Sequence, residues 1–245
     1  MFKNSYCALS KVYDELMYDV DYDRWADYVA SLLPEKCRRV AETACGTGGI
    51  TFRLCEMGYR VTASDISPEM LNIAAANARA YGLKPNFICQ DMCELSLPPQ
   101  DAVICCCDGV NYLTEPHMLR KFLSAAYSCL KTGGRLLFDI SSLHKLRDVL
   151  GSNLFFDDSD DVTLLWQNSF DETTRLLQMS LTLFKREGKL YSREDEQQTQ
   201  RAYDADEVLF MLREAGFENC RALGFLTDRP ANDDDERIQF IAEKI

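Results

Sequence analysis

The chain has 245 residues, of which 47% are hydrophobic, and its formal net charge at pH 7 is −12. This length fits one generous α/β domain or one domain with a small appendage, and the apolar fraction is sufficient for a full core. Enzymes that bind duplexes usually carry a basic face, because contacts to phosphate dominate their affinity. The acidic balance therefore argues against a nucleic-acid partner.

The cysteines and the N-terminal residues bear on the cellular compartment. Eleven cysteines are scattered along the chain, and the first residues contain no apolar core of a secretory signal. No run approaches the 18 apolar residues of a membrane helix. We therefore expect a cytoplasmic protein without a membrane partner. We also expect no metal centre, because neither of the two histidines lies near a matching pair of cysteines.

The first 150 residues predict an α/β unit. Residues 1–34 are rich in aromatic residues and predict a helical cap, which Pro34 closes. In residues 35–150, five apolar segments alternate with helical patterns, which predicts a parallel sheet covered by helices on both faces. The predicted strands are 39–44, 59–66, 86–92, 102–107 and 135–140, and the predicted helices are 49–57, 67–81 and 115–130. The three consecutive cysteines at 105–107 are interpreted as part of a buried strand.

The pattern changes after residue 150. Segments 162–167, 175–187 and 189–203 look like strands with no helix between them, so they should pair antiparallel. We interpret 151–203 as an insertion that forms a lid. The acidic clusters 157–161 and 233–236 are interpreted as solvated loops.

The last segment, 204–245, returns to the core. It predicts a helix that starts at Asp204, with Glu207 completing a capping box, and two further strands at 220–226 and 237–244. The fold class that results is α/β: a doubly wound, mostly parallel seven-stranded sheet of Rossmann-like type, with an inserted antiparallel β hairpin region.

A glycine turn lies between the first strand and the following helix. Gly46, Gly48 and Gly49 would let the backbone approach a ligand at the helix N-terminus, where free N–H groups favour an anionic group. Asp65 ends the next strand, at the same edge of the sheet, where a carboxylate commonly binds the two hydroxyls of a ribose. A nicotinamide dinucleotide and S-adenosylmethionine both fit this pattern. The dinucleotide is disfavoured, because Thr51 occupies the position of its third glycine.

Five motifs in order resemble those of the class I S-adenosylmethionine-dependent methyltransferases. They read AETACGTGG, SDISPEML, CQDM, CCCDGVNYL and LKTGGRLLFDI, and the resemblance covers roughly residues 36–142. The opening segment also resembles a subgroup of small bacterial methyltransferases, many of which have no assigned acceptor. The resemblance implies S-adenosylmethionine as the cofactor.

The resemblance also implies which residues surround the cofactor. Around its methionine part would lie Glu42, Cys45, Gly46, Thr47 and Gly48. Beside its ribose and adenine would lie Asp65, Ile66, Met70, Asp91 and Met92. Asp65 would hold the ribose hydroxyls, and Asp91 would accept a hydrogen bond from the exocyclic amine of adenine. Asp108 would line the methyl and acceptor side, and Tyr13 would reach over the cofactor from the N-terminal segment.

The resemblance implies methyl transfer by in-line displacement. Such a reaction needs mainly proximity and exclusion of water, so the sequence names no catalytic residue. The string N-P-P-Y or D-P-P-Y of base-amine methylation is absent, since the matching place reads DGVNYL. We therefore predict a small-molecule acceptor, selected by the insertion at about 155–203. A methyltransferase of protein or RNA and a non-catalytic S-adenosylmethionine-binding protein stay open as alternatives, as does a homodimer.

Overall fold

The computed structural model describes residues 9–245. Six α-helices lie in this part of the chain: α1 (Tyr13–Leu16), α2 (Tyr22–Leu32), α3 (Gly49–Glu56), α4 (Pro68–Ala80), α5 (Pro116–Cys129) and α6 (Ala205–Glu214). Its strands are β1 (Arg39–Thr43), β2 (Arg60–Asp65), β3 (Asn86–Cys89), β4 (Gln100–Cys105), β5 (Leu130–Ser141), β6 (Leu154–Asp158), β7 (Val162–Asp171), β8 (Leu176–Glu187), β9 (Leu190–Arg201), β10 (Glu218–Gly224) and β11 (Arg237–Glu243). Short 3₁₀-helices occur at Leu9–Lys11, Met92–Glu94 and Gly109–Tyr112, and a π-helix occurs at Lys145–Leu150.

A seven-stranded sheet with the order β10-β11-β5-β4-β1-β2-β3 forms the core. The first five strands are parallel, and β11 runs antiparallel to both of its neighbours. Alternate residues of β4 face opposite layers: Ile104 packs with α2 and α3, whereas Val103 packs with α5 and α6. This confirms the predicted doubly wound fold.

A second sheet, with the order β6-β7-β8-β9, is wholly antiparallel and leaves the core after β5. Leu177, Met179, Leu181 and Leu183 of β8 are buried on one face, as their spacing predicts. The sequence analysis missed β6, because Asp157 and Asp158 were assigned to a solvated loop. They belong to an exposed edge strand, whose phenylalanines at 155 and 156 pair with Trp166 and Leu165.

The described part of the N-terminal segment contains two separate α-helices, since α1 ends at Leu16 and α2 begins at a new N-cap, Asp21; residues 1–8 lie outside the description. Two further local predictions need correction. The strand predicted to include all three cysteines ends at Cys105. Asp204 does not form the predicted capping box. Its carboxylate pairs instead with Arg175 in the turn between β7 and β8.

A buried ion cluster joins the two sheets to the helical layer. Arg237, at the start of β11, donates to Asp108 Oδ1 at 2.8 Å and to Asp139, which is fully buried. Its guanidinium carbon lies 4.9 Å from the ring centroid of Trp25 on α2. Gln200 of β9 donates to the other oxygen of Asp108 at 2.8 Å. Three segments far apart in sequence therefore meet at Arg237, and β9 joins them through Asp108.

Replacing Arg237 with methionine is expected to lower the free energy of unfolding by about 3–5 kcal/mol. The reason is that two carboxylates would then stay buried without their cation. The measurement is urea denaturation at pH 7. The control is Arg120→Met, whose surface pair with Glu214 is half-exposed and contributes little. Equal effects of the two substitutions would contradict the importance of the cluster.

Candidate active site

The glycine turn after β1 is shaped by two aromatic rings. Gly48 has φ +93°, and a Cβ atom added there would lie 2.5 Å from the ring of Phe52. At Gly49 an added Cβ would lie 2.7 Å from the ring of Tyr22. Position 48 therefore favours glycine for its backbone conformation, whereas a side chain at position 49 would require the ring of Tyr22 to move. The turn delivers the chain directly into the first residues of α3.

Asp65, at the end of β2, is hydrogen-bonded to this turn. Its Oδ2 accepts from the backbone N–H of Gly46 at 2.8 Å, and its Oδ1 accepts from the N–H of Ser67 at 2.9 Å. The residue is only 8% exposed, and burial raises the pKa of its carboxyl while the backbone N–H groups oppose that rise. Each carboxylate oxygen retains capacity to accept a further hydrogen bond. Asp65 is thus a pre-positioned acceptor at the carboxyl edge of the sheet.

The short helix α1 is tied to the turn by hydrogen bonds. The hydroxyl of Thr47 donates to Asp14 Oδ1 at 2.6 Å, and the side-chain amide of Asn77 on α4 donates to Asp14 Oδ2 at 3.3 Å. These bonds hold Tyr13, which immediately precedes Asp14, at the edge of the site. The sequence analysis did not identify Asp14, because an exposed carboxylate on a short helix carries no distinguishing local pattern.

Ten of the twelve predicted cofactor residues line one cavity, hereafter the first cavity. They are Tyr13, Glu42, Cys45, Gly46, Thr47, Asp65, Ile66, Met70, Asp91 and Met92. Gly48 shapes the turn without lining the cavity, and Asp108 lines a neighbouring one. Sequence reasoning missed several lining residues, among them Tyr22, Gln90, Cys107, Tyr112 and Met118. Of these, Cys107 and Tyr112 lie within the fourth motif, which was a usable signal.

The first cavity combines polar and apolar walls. Ile66 is 47% exposed beside the fully buried Met70, so the cavity offers a hydrophobic surface for a flat group. Asp91 accepts from the N–H of Cys93 with Oδ1, at 2.8 Å. The side-chain nitrogen of Gln90 is buried and has no hydrogen-bond partner in the described chain. A nucleoside would supply both the apolar ring and the missing polar partners.

Glu42 introduces an unusual charge state. Burial raises the pKa of its carboxyl from 4.5 to about 8, and Thr51 opposes this by donating its hydroxyl to Oε2 at 2.5 Å. The residue is 3% exposed, so the glutamate is largely protonated at neutral pH in this structure. A cationic group bound beside it would favour its ionised form.

A second cavity of about 500 Å³ lies between the core and the antiparallel sheet. Tyr13, Cys107 and Tyr112 line both cavities and therefore form their shared boundary. At this boundary Cys107 and Asp108 have φ values of +59° and +51°, which are unfavourable for residues other than glycine. The N–H of Asp108 donates to Asp139 at 2.9 Å and fixes this strained turn.

The polar wall of the second cavity comes partly from β9. Gln198 and Gln200 are buried there, 6% and 5% exposed. Gln198 accepts from the hydroxyl of Tyr112 at 2.7 Å and donates to Glu196 at 2.7 Å. This row of buried polar residues explains why β9 lacks the apolar alternation of β8.

Apolar and aromatic residues supply most of the remaining wall of the second cavity. Trp25 of α2 and Trp166 of β7 both line it, and Phe155 lies 5.5 Å from Trp166 between ring centroids. Lys145 also lines it, half-buried and without a side-chain hydrogen bond or ion pair in the described chain. Burial, reinforced by the charge of Arg237, lowers the pKa of this lysine.

Arg201, Tyr203 and His144 lie outside both cavities. Arg201 packs over the ring of Tyr203, whose hydroxyl donates to the carbonyl of Leu113. His144 pairs with Asp148 on the same turn. Within residues 9–245 there is no grouping of three or more residues suited to bind a metal ion. No helix in that range is both long and apolar enough to span a membrane.

Comparison with known proteins identifies the family. A family profile described as "Methyltransferase domain" matches residues 40–134. "Putative methyltransferase YqeM" of Bacillus subtilis is 36% identical, over 98% of this chain and 97% of that protein. A crystal structure of an S-adenosylmethionine-dependent methyltransferase from Clostridium acetobutylicum is 33% identical, covers 98% of this chain and 99% of its own, and has a TM-score of 0.86. The chain belongs to the S-adenosylmethionine-dependent methyltransferases.

The cofactor of this methyltransferase is therefore S-adenosylmethionine. The same fold occurs in the S-adenosylmethionine-bound structure of CalS10 from Micromonospora echinaspora, which is 18% identical over the whole of both chains, with a TM-score of 0.73. The first cavity suits the cofactor on its own chemistry. It presents an acceptor pair at Asp65, an apolar surface at Ile66 and Met70, and a buried carboxyl at Glu42.

The pKa of Glu42 predicts a pH dependence of stability. Between about pH 4.5 and 8 the folded protein keeps this proton while the unfolded chain loses it, so stability should decline as pH rises through that window. A glutamine at this position can accept the Thr51 hydroxyl and does not titrate. The Glu42→Gln variant should therefore gain stability relative to the parent from pH 5 to pH 8, by at most about 1.4 kcal/mol per pH unit.

The measurement is urea denaturation of the cofactor-free protein at pH 5, 6.5 and 8. Glu56→Gln, at the exposed end of α3, is the matched control and should show no such trend. A difference between Glu42→Gln and the parent that stays constant across the three pH values would contradict the raised pKa.

Proposed function

We propose that this methyltransferase transfers a methyl group to a small-molecule acceptor by in-line displacement. The observation that carries the proposal is the pair of cavities that share the boundary Tyr13, Cys107 and Tyr112. The first suits a nucleoside cofactor, and the second, beneath the antiparallel sheet, is large enough for a small acceptor. A group bound at the boundary would contact both.

We assign the cofactor to the ten predicted residues that line the first cavity. Asp65 binds the ribose hydroxyls, because its oxygens are fixed by two backbone N–H groups and can accept more. Asp91 and Met92 lie on the adenine side. Glu42 lies on the methionine side, where the positive amino group would draw the proton from its carboxyl. Gly48 contributes through the backbone conformation of the turn.

The acceptor binds in the second cavity, with an apolar body and a polar reacting end. The four-stranded sheet contributes Phe155, Trp166 and Met179, which suit an apolar or aromatic body. The core and β9 contribute hydrogen-bonding groups near the boundary, including Tyr112 and Gln198. This division of the walls supports the prediction that the insertion selects the acceptor.

The protein orients the reactants and excludes water from them. When bound, S-adenosylmethionine supplies a methyl group on a sulfonium whose leaving group departs uncharged. The boundary residues orient the acceptor, and the antiparallel sheet covers it from water. Where the acceptor must lose a proton, Lys145 lines the second cavity and can take it, since burial lowers its pKa and leaves more of the amine unprotonated than in a surface lysine.

The location and assembly of the enzyme belong to the same proposal. The ten cysteines of the described chain are all free thiols, which supports a reducing cytoplasm. The limited volume of the second cavity, about 500 Å³, and the net charge of −12 favour a small molecule over a protein or RNA acceptor. A homodimer stays a prediction.

Replacing Asp65 with alanine is expected to weaken S-adenosylmethionine binding by at least about tenfold. Charge-assisted hydrogen bonds contribute roughly 1.5–3 kcal/mol each, and the variant loses those of the ribose. The measurement is isothermal titration calorimetry of the cofactor into each protein.

Asp101→Ala is the matched control for this experiment. Asp101 also accepts two backbone N–H groups, those of Arg38 and Arg39, but lies outside the first cavity. It should lose stability without losing cofactor affinity. Parent-like affinity of Asp65→Ala would show that the ribose is bound elsewhere.

Replacing Trp166 with leucine is expected to impair acceptor use alone. The acceptor is first found by mass spectrometry, after incubation of the enzyme with isotope-labelled cofactor and a metabolite extract. The variant should lose about 10–200-fold in kcat/KM for that acceptor, since the loss of apolar contact with a pocket wall costs roughly 1–3 kcal/mol of transition-state binding. Cofactor affinity should stay within a few fold.

The control is Tyr191→Leu, an exposed ring on the same antiparallel sheet that lines neither cavity. It should behave like the parent in both assays. Unchanged acceptor kinetics in Trp166→Leu would place the acceptor outside the second cavity. Cofactor binding with no methyl transfer to any extract component would instead support a non-catalytic binding protein.

A further inference from the structure

A third cavity of about 640 Å³ opens at the edge of the core sheet opposite the active site. It is lined by the first residues of four parallel strands, Arg39 of β1, Arg60 of β2, Asn86 of β3 and Gln100 of β4. The active site lies at the other ends of these strands, roughly 15–20 Å away. Nothing in methyl transfer uses this edge.

Three cations gather in the third cavity without a counter-charge. Arg39, Arg60 and Lys84 line it, and no acidic residue does. Arg39 and Arg60 are direct partners in the register of β1 and β2, where like charges destabilise a sheet. In the described chain, none of the three side chains makes a hydrogen bond or a salt bridge to another residue.

The neighbouring carboxylate does not neutralise this cluster. Asp101 follows Gln100, but its oxygens accept from Lys131 and from the backbone N–H groups of Arg38 and Arg39. The arginine side chains thus stay uncompensated in a chain whose net charge is −12. A bound anion would remove the repulsion between them.

The remaining wall of the third cavity indicates the size and chemistry of that anion. Tyr59, Leu83 and Leu97 are half-buried there and offer a surface for an apolar or planar group. A phosphate monoester carries a charge of about −1.5 to −2 at pH 7, and a second phosphate adds to it, so a diphosphate matches three cations better than a carboxylate does. Guanidinium groups bind phosphate oxygens in pairs.

We propose that the third cavity binds a small phosphate ester of the nucleotide class. Arg39, Arg60 and Lys84 hold the phosphates, and the organic part lies against Tyr59 and the leucines. A nucleic-acid strand fits less well, because the overall charge of the chain opposes a long polyanion.

The test uses ADP as the probe and calorimetry at low salt as the measurement. The protein is first saturated with S-adenosylhomocysteine, so that the adenosine group of ADP cannot enter the active site. Parent protein should bind ADP, and the double variant Arg39→Gln/Arg60→Gln should bind it at least tenfold more weakly. The control double variant Arg186→Gln/Arg193→Gln removes the same charge from the antiparallel sheet and should bind like the parent.

Several outcomes would overturn the proposal. They are no ADP binding by the parent, equal binding by the Arg39/Arg60 variant, and equal affinity for inorganic pyrophosphate, which would leave the apolar wall unused. Tighter binding of a ten-nucleotide RNA, with a steeper salt dependence than ADP, would indicate a strand instead.

Thermal unfolding of the ligand-free proteins gives a readout independent of binding. The Arg39→Gln/Arg60→Gln variant should melt at or above the temperature of the parent, because the like-charge contact is relieved. A clear fall in melting temperature would show that the arginines serve the fold and would count against a ligand site.

Discussion

The buried charge of Arg237 constrains both halves of this enzyme. A guanidinium removed from water is stable only when carboxylates stay within hydrogen-bond distance, so the positions of Asp108 and Asp139 are fixed by it. Asp108 in turn accepts a hydrogen bond from Gln200, which holds β9 and its sheet over the second cavity. The strained backbone at residues 107 and 108 persists because this network over-determines it. The boundary between the two cavities therefore depends on one ion cluster.

The two cavities differ in how the chain builds them. Most residues of the first cavity come from a continuous stretch between Glu42 and Met118, with only Tyr13 and Tyr22 added from the N-terminal segment. The second draws on the N-terminal segment, the antiparallel sheet and the last strand. The walls of the second cavity therefore come mostly from residues that do not line the first.

The sequence predicted the fold and most of the first cavity because both are encoded locally. Some residue types are typical of one local structure. Examples are the glycine turn, Asp65 and the proline after Ser67. The second cavity escaped prediction because its groups become significant only when distant segments meet. An arginine at the start of a C-terminal strand, such as Arg237, looks like any surface cation until its carboxylates are in place.

The local errors have a similar origin. Asp204 has the residue type of a helix cap, yet Arg175, in the turn between β7 and β8, offers its carboxylate a stronger partner than a backbone N–H. Asp157 and Asp158 have a low strand propensity. The edge of a sheet tolerates exposed charge, and the backbone hydrogen bonds between β6 and β7 outweigh that low propensity. Cys106 and Cys107 are apolar enough to extend β4, but the turn toward Asp139 ends the strand first.

The contact between Trp25 and the far end of the chain has a consequence for how the enzyme matures. Trp25 packs 4.5 Å from Phe225 between ring centroids, and it also lies under Arg237. A chain emerging from the ribosome therefore displays this indole long before its partners are synthesised. Closing a loop of some two hundred residues is slow compared with local folding, since the chain loses conformational entropy before the stabilising contacts form. The first cavity, whose lining residues lie between positions 13 and 118, can assemble early, whereas the second includes Arg237 and waits for the final strand.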